Sequence, residues 1–292
     1  NDLTLSRQLT ATASGAISAA GKPLVVNTDG TVAEAAVTTV TQAVGSEVVF
    51  ESAGTNAISA IYDSTAQKVV IAYQDVGNSN YGTAIVGTVS GTSISFGTPT
   101  VFESANSDWI AAAYDTNADK VVIAYRDIGN GPNYGTSIVG TVSGTSISFG
   151  TAVVFESAQT SNISIGYDST AQKVVIAYRD SGNANYGTAI VGTVSGTSIS
   201  YGSPTVFESA DSRYTSIAHD PNANKMVIAY NDHGVGAAGY GNAIGGTVSG
   251  RSISCGTAVA FNTDRSDYIS IVYDYKKKKM VITYQDVGNS NY

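Results

Sequence analysis

The chain is short of most residue types on which reactive chemistry depends. Its 292 residues include one Cys, two His, one Trp and two Met. The single Cys255 excludes a disulfide framework and a multi-cysteine metal site. Charged residues make up 13% of the chain, against roughly 25% in ordinary soluble domains. Asp and Glu outnumber Lys and Arg by 23 to 15, giving a net charge of −8. That balance excludes the basic surface a nucleic-acid backbone demands, so no nucleic-acid partner is expected. No apolar run approaches the roughly 20 residues of a membrane span, and no membrane insertion is expected. No signal peptide is visible. A nucleophile elbow, a phosphate-binding glycine loop and zinc-ligand spacings are all missing.

What the chain has in abundance is Gly (31), Tyr (18) and short β-branched runs, with 42% hydrophobic residues overall. This is the vocabulary of strands joined by tight turns, and the apolar share is enough for a packed core rather than disorder. Few stretches carry the Leu, Glu, Lys and Arg content of a stable helix.

The main signal is an internal repeat. Val-Phe-Glu-Ser-Ala occurs four times, with a degenerate fifth copy, and its Phe falls at Phe50, Phe102, Phe155, Phe207 and Phe261. The spacings are 52, 53, 52 and 54. The Tyr of Val-Ile-Ala-Tyr, at Tyr73, Tyr125, Tyr178, Tyr230 and Tyr284, repeats with the same intervals. Residues 62–105 and 167–210 are identical at 39 of 44 positions. Each unit divides into four strand-like pieces: a (58–62), b (69–73), c (83–89) and d (94–102) in the first. Piece b is apolar on both faces, as in a strand covered on both sides. Asp63, Asp115, Asp168, Asp220 and Asp274 open the a–b turn of every unit, where a carboxylate caps backbone N–H groups.

Four antiparallel strands per unit of about 52 residues match the blade of a β-propeller of the kelch type. A β-solenoid coil is much shorter, and an immunoglobulin-like unit nearly twice as long. The expected fold is therefore an all-β propeller of four-stranded blades, with five visible and the last incomplete. The blades span 47–100, 101–153, 154–205, 206–259 and 260–292. A d-like strand at Glu47–Phe50 is expected to close the ring with the last blade. Tyr292 aligns with Tyr81 at the start of piece c, so either the chain continues past residue 292 or the last blade is incomplete; the first is preferred, since an unpaired edge invites aggregation. Residues 1–46 lack the repeat. They read as a hairpin with an Asp-Gly turn at Thr28-Asp29-Gly30, flanked by linkers, and serve as an attachment or oligomerisation segment.

Comparing the units with each other locates the variation. All length differences fall in the b–c loop, which includes Asn130 and Asn133 in the second unit and His233 in the fourth. The d–a connection varies in two adjacent columns. One holds Ala57, Trp109, Asn162, Tyr214 and Tyr268; the other holds Asn56, Asp108, Ser161, Arg213 and Asp267. In an antiparallel blade both connections emerge on one face. Exposed aromatic and Arg side chains on loops of a rigid scaffold are the usual material of recognition. The candidate ligand-binding residues are therefore Asp108, Trp109, Arg213, Tyr214, Asp267, Tyr268, Asn130, Asn133 and His233. Unconstrained drift of loops is the competing explanation.

Other candidates have simpler readings. His219 stands in the column of Tyr62, Tyr114, Tyr167 and Tyr273, as a substitution in a packed position. Cys255 stands in the column of Phe96, Phe149 and Tyr201, as a small buried hydrophobe. Lys276–Lys279 reads as a solvated hairpin tip. Asp75, Asn78 and Asn80, with Asp180, Asn183 and Asn185, supply oxygens of the kind calcium accepts. Their spacing is not that of an EF-hand, and Asn-Gly turns need no metal; no cofactor is expected, a structural calcium being the alternative. Near-identical blades repeat the same groups around a ring, whereas a catalytic site needs different groups converging. The Asp-box of sialidase-type propellers, Ser-x-Asp-x-Gly-x-Thr-Trp, is absent. The chain is therefore expected not to be an enzyme.

The units Tyr62–Tyr73 and Tyr167–Tyr178, with Gly82–Ser95 and Gly187–Ser200, resemble repeats in virion structural proteins of marine tailed phages, cyanophages included. The segment Ala20–Val32 resembles short β segments that precede distal domains in phage fibre and decoration proteins. The repeat resemblance covers roughly residues 47–292. It implies a place on the virion surface, extracellular, as a tail or head fibre or decoration protein. It further implies a host-surface glycan or receptor as partner, other virion proteins bound through the N-terminal segment, and a homo-oligomer. It carries no functional residues over. A purely structural module that extends or stabilises a particle or filament is the alternative.

Overall fold

A computed structural model of the chain describes residues 24–26, 28–29, 31–34, 44–234 and 239–289. The chain divides into two compact units, Asn1–Gly45 and Ser46–Tyr292. In the first, β1 (Leu24–Val26) and β2 (Val32–Glu34) form an antiparallel hairpin with Val26 opposite Val32. Asp29 Oδ1 accepts from the Thr31 N–H at 2.9 Å, fixing the turn. The flanking stretches expected to be linkers lie outside the described residues.

The second unit is all-β, antiparallel and repetitive. Its first sheet contains β3 (Thr55–Asp63), β4 (Lys68–Asp75), β5 (Tyr81–Ser90) and β6 (Ser93–Phe96), and is completed by the start of β7 (Thr100–Asp115). Pieces b and c match β4 and β5 closely. Piece d does not: Gly97, Thr98 and Pro99 interrupt it, and its second half is the beginning of β7. The a–b turn is capped as the sequence implied, with Asp63 Oδ1 accepting from the N–H groups of Thr65 and Ala66 at 3.0 and 2.8 Å. The same cap recurs at Asp115, Asp168, Asp220 and Asp274.

The pattern repeats three more times. The remainder of β7 joins β8 (Lys120–Asp127), β9 (Tyr134–Ser143), β10 (Ser146–Phe149) and the start of β11 (Val153–Asp168). The third sheet takes β11, β12 (Lys173–Asp180), β13 (Tyr186–Ser195), β14 (Ser198–Tyr201) and the start of β15 (Thr205–Asp220). The fourth takes β15, β16 (Lys225–Asp232), β17 (Tyr240–Ser249), β18 (Ser252–Cys255) and the start of β19 (Val259–Asp274). Among the described residues the fifth sheet holds only β19 and β20 (Lys279–Asp286).

The expected d–a loops do not exist. Each is a single strand of 16 residues that leaves one sheet and enters the next. Register shifts mark the crossing, as at Asp108/Ala111 in β7. A bulge lets one strand serve two sheets by bending it and increasing its twist.

Successive sheets stack face to face. Val121, Ile123 and Tyr125 of β8 pack against Val70, Ala72, Ala84 and Val86 of the first sheet. The intervening residues, Val122 and Ala124, pack in the other direction against Val174, Ile176 and Tyr178 of the third. Two-sided burial explains why strand b is apolar throughout, with all five of Val121–Tyr125 inaccessible. Cys255 is half-buried beside the Ile253 cluster, and burial pushes its thiol pKa up.

The closure expected at Glu47–Phe50 is not formed. Residues 44–49 are not strand, and among the described residues no ladder register returns from β20 to β3. Phe50 nevertheless packs on Tyr73, ring centroids 5.2 Å apart, as Phe102 packs on Tyr125. Tyr292, expected at the start of a fifth piece c, lies outside the described residues. None of the described helical segments is long and apolar enough to cross a membrane.

Candidate functional site

The bulge that carries each strand into its next sheet places one residue in the left-handed backbone region. These residues are Ala57, Trp109, Asn162, Tyr214 and Tyr268, with φ of 46°, 48°, 50°, 50° and 50°. They are the variable column of the sequence. Bulky side chains rarely adopt this conformation, and five repetitions without a glycine show that the surrounding sheets impose it. Strain of this kind clusters at ligand-binding sites, and bulges re-aim side chains there.

The consequences differ from unit to unit. Trp109 is 38% exposed and Tyr268 72%. Trp109 borders a groove of about 450 Å³ that also touches Ala57, Ile58, Asp108, Ile110, Arg126 and Ile163. Asp108 and Arg126 are ladder neighbours. Arg126 Nε donates to Asp108 Oδ1 at 2.6 Å, and its Nη2 donates to Oδ2, forming a bidentate pair. Asn162 is buried, and its Oδ1 accepts from the Tyr214 N–H at 2.8 Å. It thus supports the next bulge instead of facing solvent.

A second cluster lies on the third to fifth sheets. The rings of Tyr214 and Tyr268 meet at 5.3 Å. Asp211 accepts from Arg179 at 2.5 Å and from Arg213 at 2.7 Å. Burial alone would raise the Asp211 pKa; the two guanidinium groups outweigh it and hold the carboxyl below its ordinary range. Arg265 pairs with Asp267 at 2.8 Å. His233 sits within the field of these charges, and burial, then Arg213, lowers its pKa. Its backbone N–H donates to Asp211 O at 2.9 Å. Residues 235–238 of the same loop lie outside the described residues.

The structure therefore brings together Asp108 with Trp109, and Arg213, Tyr214, Asp267, Tyr268 and His233. Asn130 and Asn133 do not line the groove. Asn133 instead accepts the Thr160 N–H on its carbonyl at 3.3 Å. Arg126, Arg179, Asp211 and Arg265 were missed. Arg126 and Arg179 occupy the middle of Tyr-x-Asp, read as Gln74, Arg126, Arg179, Asn231 and Gln285 across the units. That variation was the available signal. An exposed aromatic face beside a fixed carboxylate–guanidinium pair offers an apolar platform with adjacent acceptors and donors.

At the opposite ends of the strands, a second cavity of about 450 Å³ is bordered by Tyr62, Tyr114, Tyr167, His219 and Tyr273, one from each unit. Here the side chains link successive turns. Tyr114 Oη bonds to Thr65 Oγ1 at 2.7 Å, and burial pushes its pKa up to about 12. His219 Nε2 lies 3.1 Å from Asp168 Oδ1, with Ser169 Oγ 3.2 Å from Nδ1. Burial lowers the His219 pKa against the pull of Asp168 and Asp220. In the b–c loops, Asp75 and Asp180 each use Oδ1 to accept a loop N–H, of Asn78 at 3.1 Å and of Gly182 at 2.9 Å, as a turn without metal would. No group of three or more His, Cys, Asp or Glu able to hold a metal occurs among the described residues.

No protein-family model matches the chain, and no curated protein matches it. Solved structures do. The exo-β-1,3-galactanase of Phanerochaete chrysosporium with β-1,3-galactotriose aligns at a TM-score of 0.49 and 8% identity, covering 85% of this chain and 64% of that one. The same enzyme with galactose gives 0.48 and 8%, covering 86% and 66%. The endo-1,4-β-xylanase of Bacteroides thetaiotaomicron gives 0.44 and 9%, covering 72% and 78%. The chain thus spans about two thirds of the galactanase. The expectation that the chain is not an enzyme is corrected here: the structures it resembles are hydrolases. A likeness at these scores assigns this chain no activity.

Proposed function

We propose that this chain is a β-propeller recognition module whose variable rim binds a saccharide on a host surface. The observation that carries this reading is the five-fold bulge, which presents Trp109 and Tyr268 to solvent at strained positions while the strands beneath them hardly vary. Trp109 would stack on the apolar face of a sugar ring. Asp108 and Arg126, already paired and oriented, would accept from and donate to its hydroxyl groups at little further ordering cost. Tyr214, Tyr268, Arg213 and Arg265 would form a second subsite.

A place on a phage virion, with the N-terminal hairpin unit as attachment segment, follows from the resemblance of the repeats and is part of the same proposal. The propeller reading is supported by five stacked sheets that each contribute one residue to the cavity at the Tyr62 end.

A glycan array with the purified protein tests the binding claim, run beside Trp109→Ala and Tyr268→Ala. Array signal is expected to fall at least about 10-fold in Trp109→Ala, the loss of one aromatic anchor. Release of reducing sugar from the retained glycans distinguishes turnover from binding. A folded protein with no array signal, or a signal indifferent to both substitutions, would sink the rim as a saccharide site.

One observation favours an assembly role as well. Ile58 and Tyr62 on β3 are 53% and 56% exposed, and Val272 on β19 is 60% exposed. These exposed apolar positions, of which Ile58 borders the Trp109 groove and Tyr62 and Val272 the five-unit cavity, would join copies of the chain into a homo-oligomer.

A further inference from the structure

Two joints between stacked sheets contain the same unusual polar set. Between the first and second sheets it is Glu103, Tyr125, Asp127 and Thr136; between the second and third it is Glu156, Tyr178, Asp180 and Thr188. Tyr125 Oη donates to Glu103 Oε2 at 3.0 Å, and Tyr178 Oη to Glu156 Oε2 at 3.2 Å. Tyr125 is the ladder partner of Thr136, and Tyr178 of Thr188, so each pair shares a face. The Asp, two residues beyond the Tyr, shares it too. Its Oδ1 is taken by the N–H of Gly129 or Gly182. Thr136 and Thr188 are each 2% exposed, and neither hydroxyl has a hydrogen-bond partner.

Among the described residues no cation answers these carboxylates. None of Glu103, Asp127, Glu156 and Asp180 belongs to an ion pair among the described residues. Burial, and then the charge of the neighbouring Asp, raises the pKa of Glu103 and of Glu156. Backbone N–H groups also donate to these Glu carboxylates, that of Ala158 to Glu156 Oε1 at 3.0 Å, but two desolvated like charges without a cationic partner still call for a proton or a cation between them. The next joint shows a different solution. There Tyr230 again donates to Glu208, at 3.0 Å. The threonine position is taken by Asn242, whose Nδ2 donates to Asp232 Oδ2 at 2.9 Å. An amide donor thus points at the carboxylate from the position where the other two joints have an unpartnered hydroxyl.

We propose that these two joints are calcium sites, one held by Glu103, Asp127 and Thr136 and the other by Glu156, Asp180 and Thr188. Calcium takes oxygen ligands in a flexible shell of roughly six to eight, with water completing what the protein does not supply. The carboxylates supply the charge, the Thr Oγ1 a neutral ligand, and the Tyr hydroxyl orients the Glu. Each ion would tie the outer strand of one sheet to the two central strands of the next.

Calcium is titrated calorimetrically into the EDTA-treated 292-residue chain at pH 7.5, and Tm is recorded with and without it. Two ions per chain are expected, with Kd on the order of 10⁻⁴–10⁻³ M, as in extracellular modules. Tm should rise by roughly 2–4 °C per filled site. Thr136→Val keeps the volume and removes the ligand, and should leave one ion. Asn242→Thr should create a third. A folded protein without calcium response overturns the proposal, as does two-ion binding that survives in a Thr136→Val, Thr188→Val double variant. So does a Tm that rises between pH 7.5 and 5.5 but ignores calcium, which would give the pairs a shared proton instead.

Discussion

Strand b of the second unit and strand b of the fifth read almost alike, Val-Val-Ile-Ala-Tyr and Met-Val-Ile-Thr-Tyr. In the second, all five residues are inaccessible, whereas Val281 of the fifth is 43% exposed and Ile282 only half-buried. The strands have the same local propensity; their surroundings differ. Val121–Tyr125 has a sheet on each face and a strand on each side. Met280–Tyr284 has a sheet on one face and, among the described residues, a strand on one side. Stability in a stacked repeat is a sum of unit and interface terms. The comparison shows how much of the burial of a strand the interfaces supply. The sequence records the difference at one position, where Ala72, Ala124, Ala177 and Ala229 give way to Thr283.

The sharpest break in this comparison is at glycine. A methyl group on Gly97 would lie 1.8 Å from the carbonyl oxygen of Thr145 in the next sheet, with the same clash at Gly150 and Gly202. The equivalent Gly256 meets no such c–d turn among the described residues, and its nearest neighbour would be 3.6 Å away. Gly97→Ala is expected to cost about 3 kcal/mol in urea denaturation, since backbone must move. Gly256→Ala should be neutral or stabilise by up to about 1 kcal/mol through the unfolded chain. Equal costs would mean that a turn covers Gly256 as Thr145 covers Gly97.

Next comes a matched valine pair. Val122 is inaccessible and Val281 is not. Val122→Ala should cost about 2–3 kcal/mol, the loss of two buried methyl groups and a small cavity. Val281→Ala should cost about 0.5 kcal/mol or less. A Val281→Ala cost that grows with protein concentration would reveal a second copy covering that face.

Much of this architecture was legible because the repeat supplies its own internal comparison. Strands b and c could be placed from two-sided apolarity and the turn residues around them. The continuous strand across the d–a connection could not. Its turning points are bulges occupied by Ala57, Trp109, Asn162, Tyr214 and Tyr268, none of them the glycine that normally signals positive φ. The break inside strand d is marked in the sequence by Gly97 and Pro99, but β-branched and aromatic residues on both sides of it give Ile94–Phe102 the composition of one strand. At the rim, variation between units picked out Asp108 and Trp109 but not Arg126. That partner is defined by register across the ladder, which no single strand displays.

The smallest expected effect tests the bulge itself. Ala57 and Ala60 lie three residues apart in β3, and only Ala57 is in the left-handed region, at φ 46°. Ala60→Gly should cost about 0.5–1 kcal/mol, the usual price of glycine in a strand. Ala57→Gly should cost nothing or stabilise by about 0.5 kcal/mol, because the left-handed penalty on an L-residue, about 1–2 kcal/mol, is relieved. Both variants are small and share one strand; the Ala57 methyl also packs against the first core cluster, so its loss offsets part of the relief. Equal costs would show that the bulge is unstrained, and the presentation of Trp109 and Tyr268 would then need no stored energy. A difference of about 1 kcal/mol in the expected direction means that the packing of neighbouring sheets sustains the conformation at every rim position, whichever side chain it carries. That would explain how one scaffold presents Ala, Trp, Asn and Tyr in the same column without local compensation.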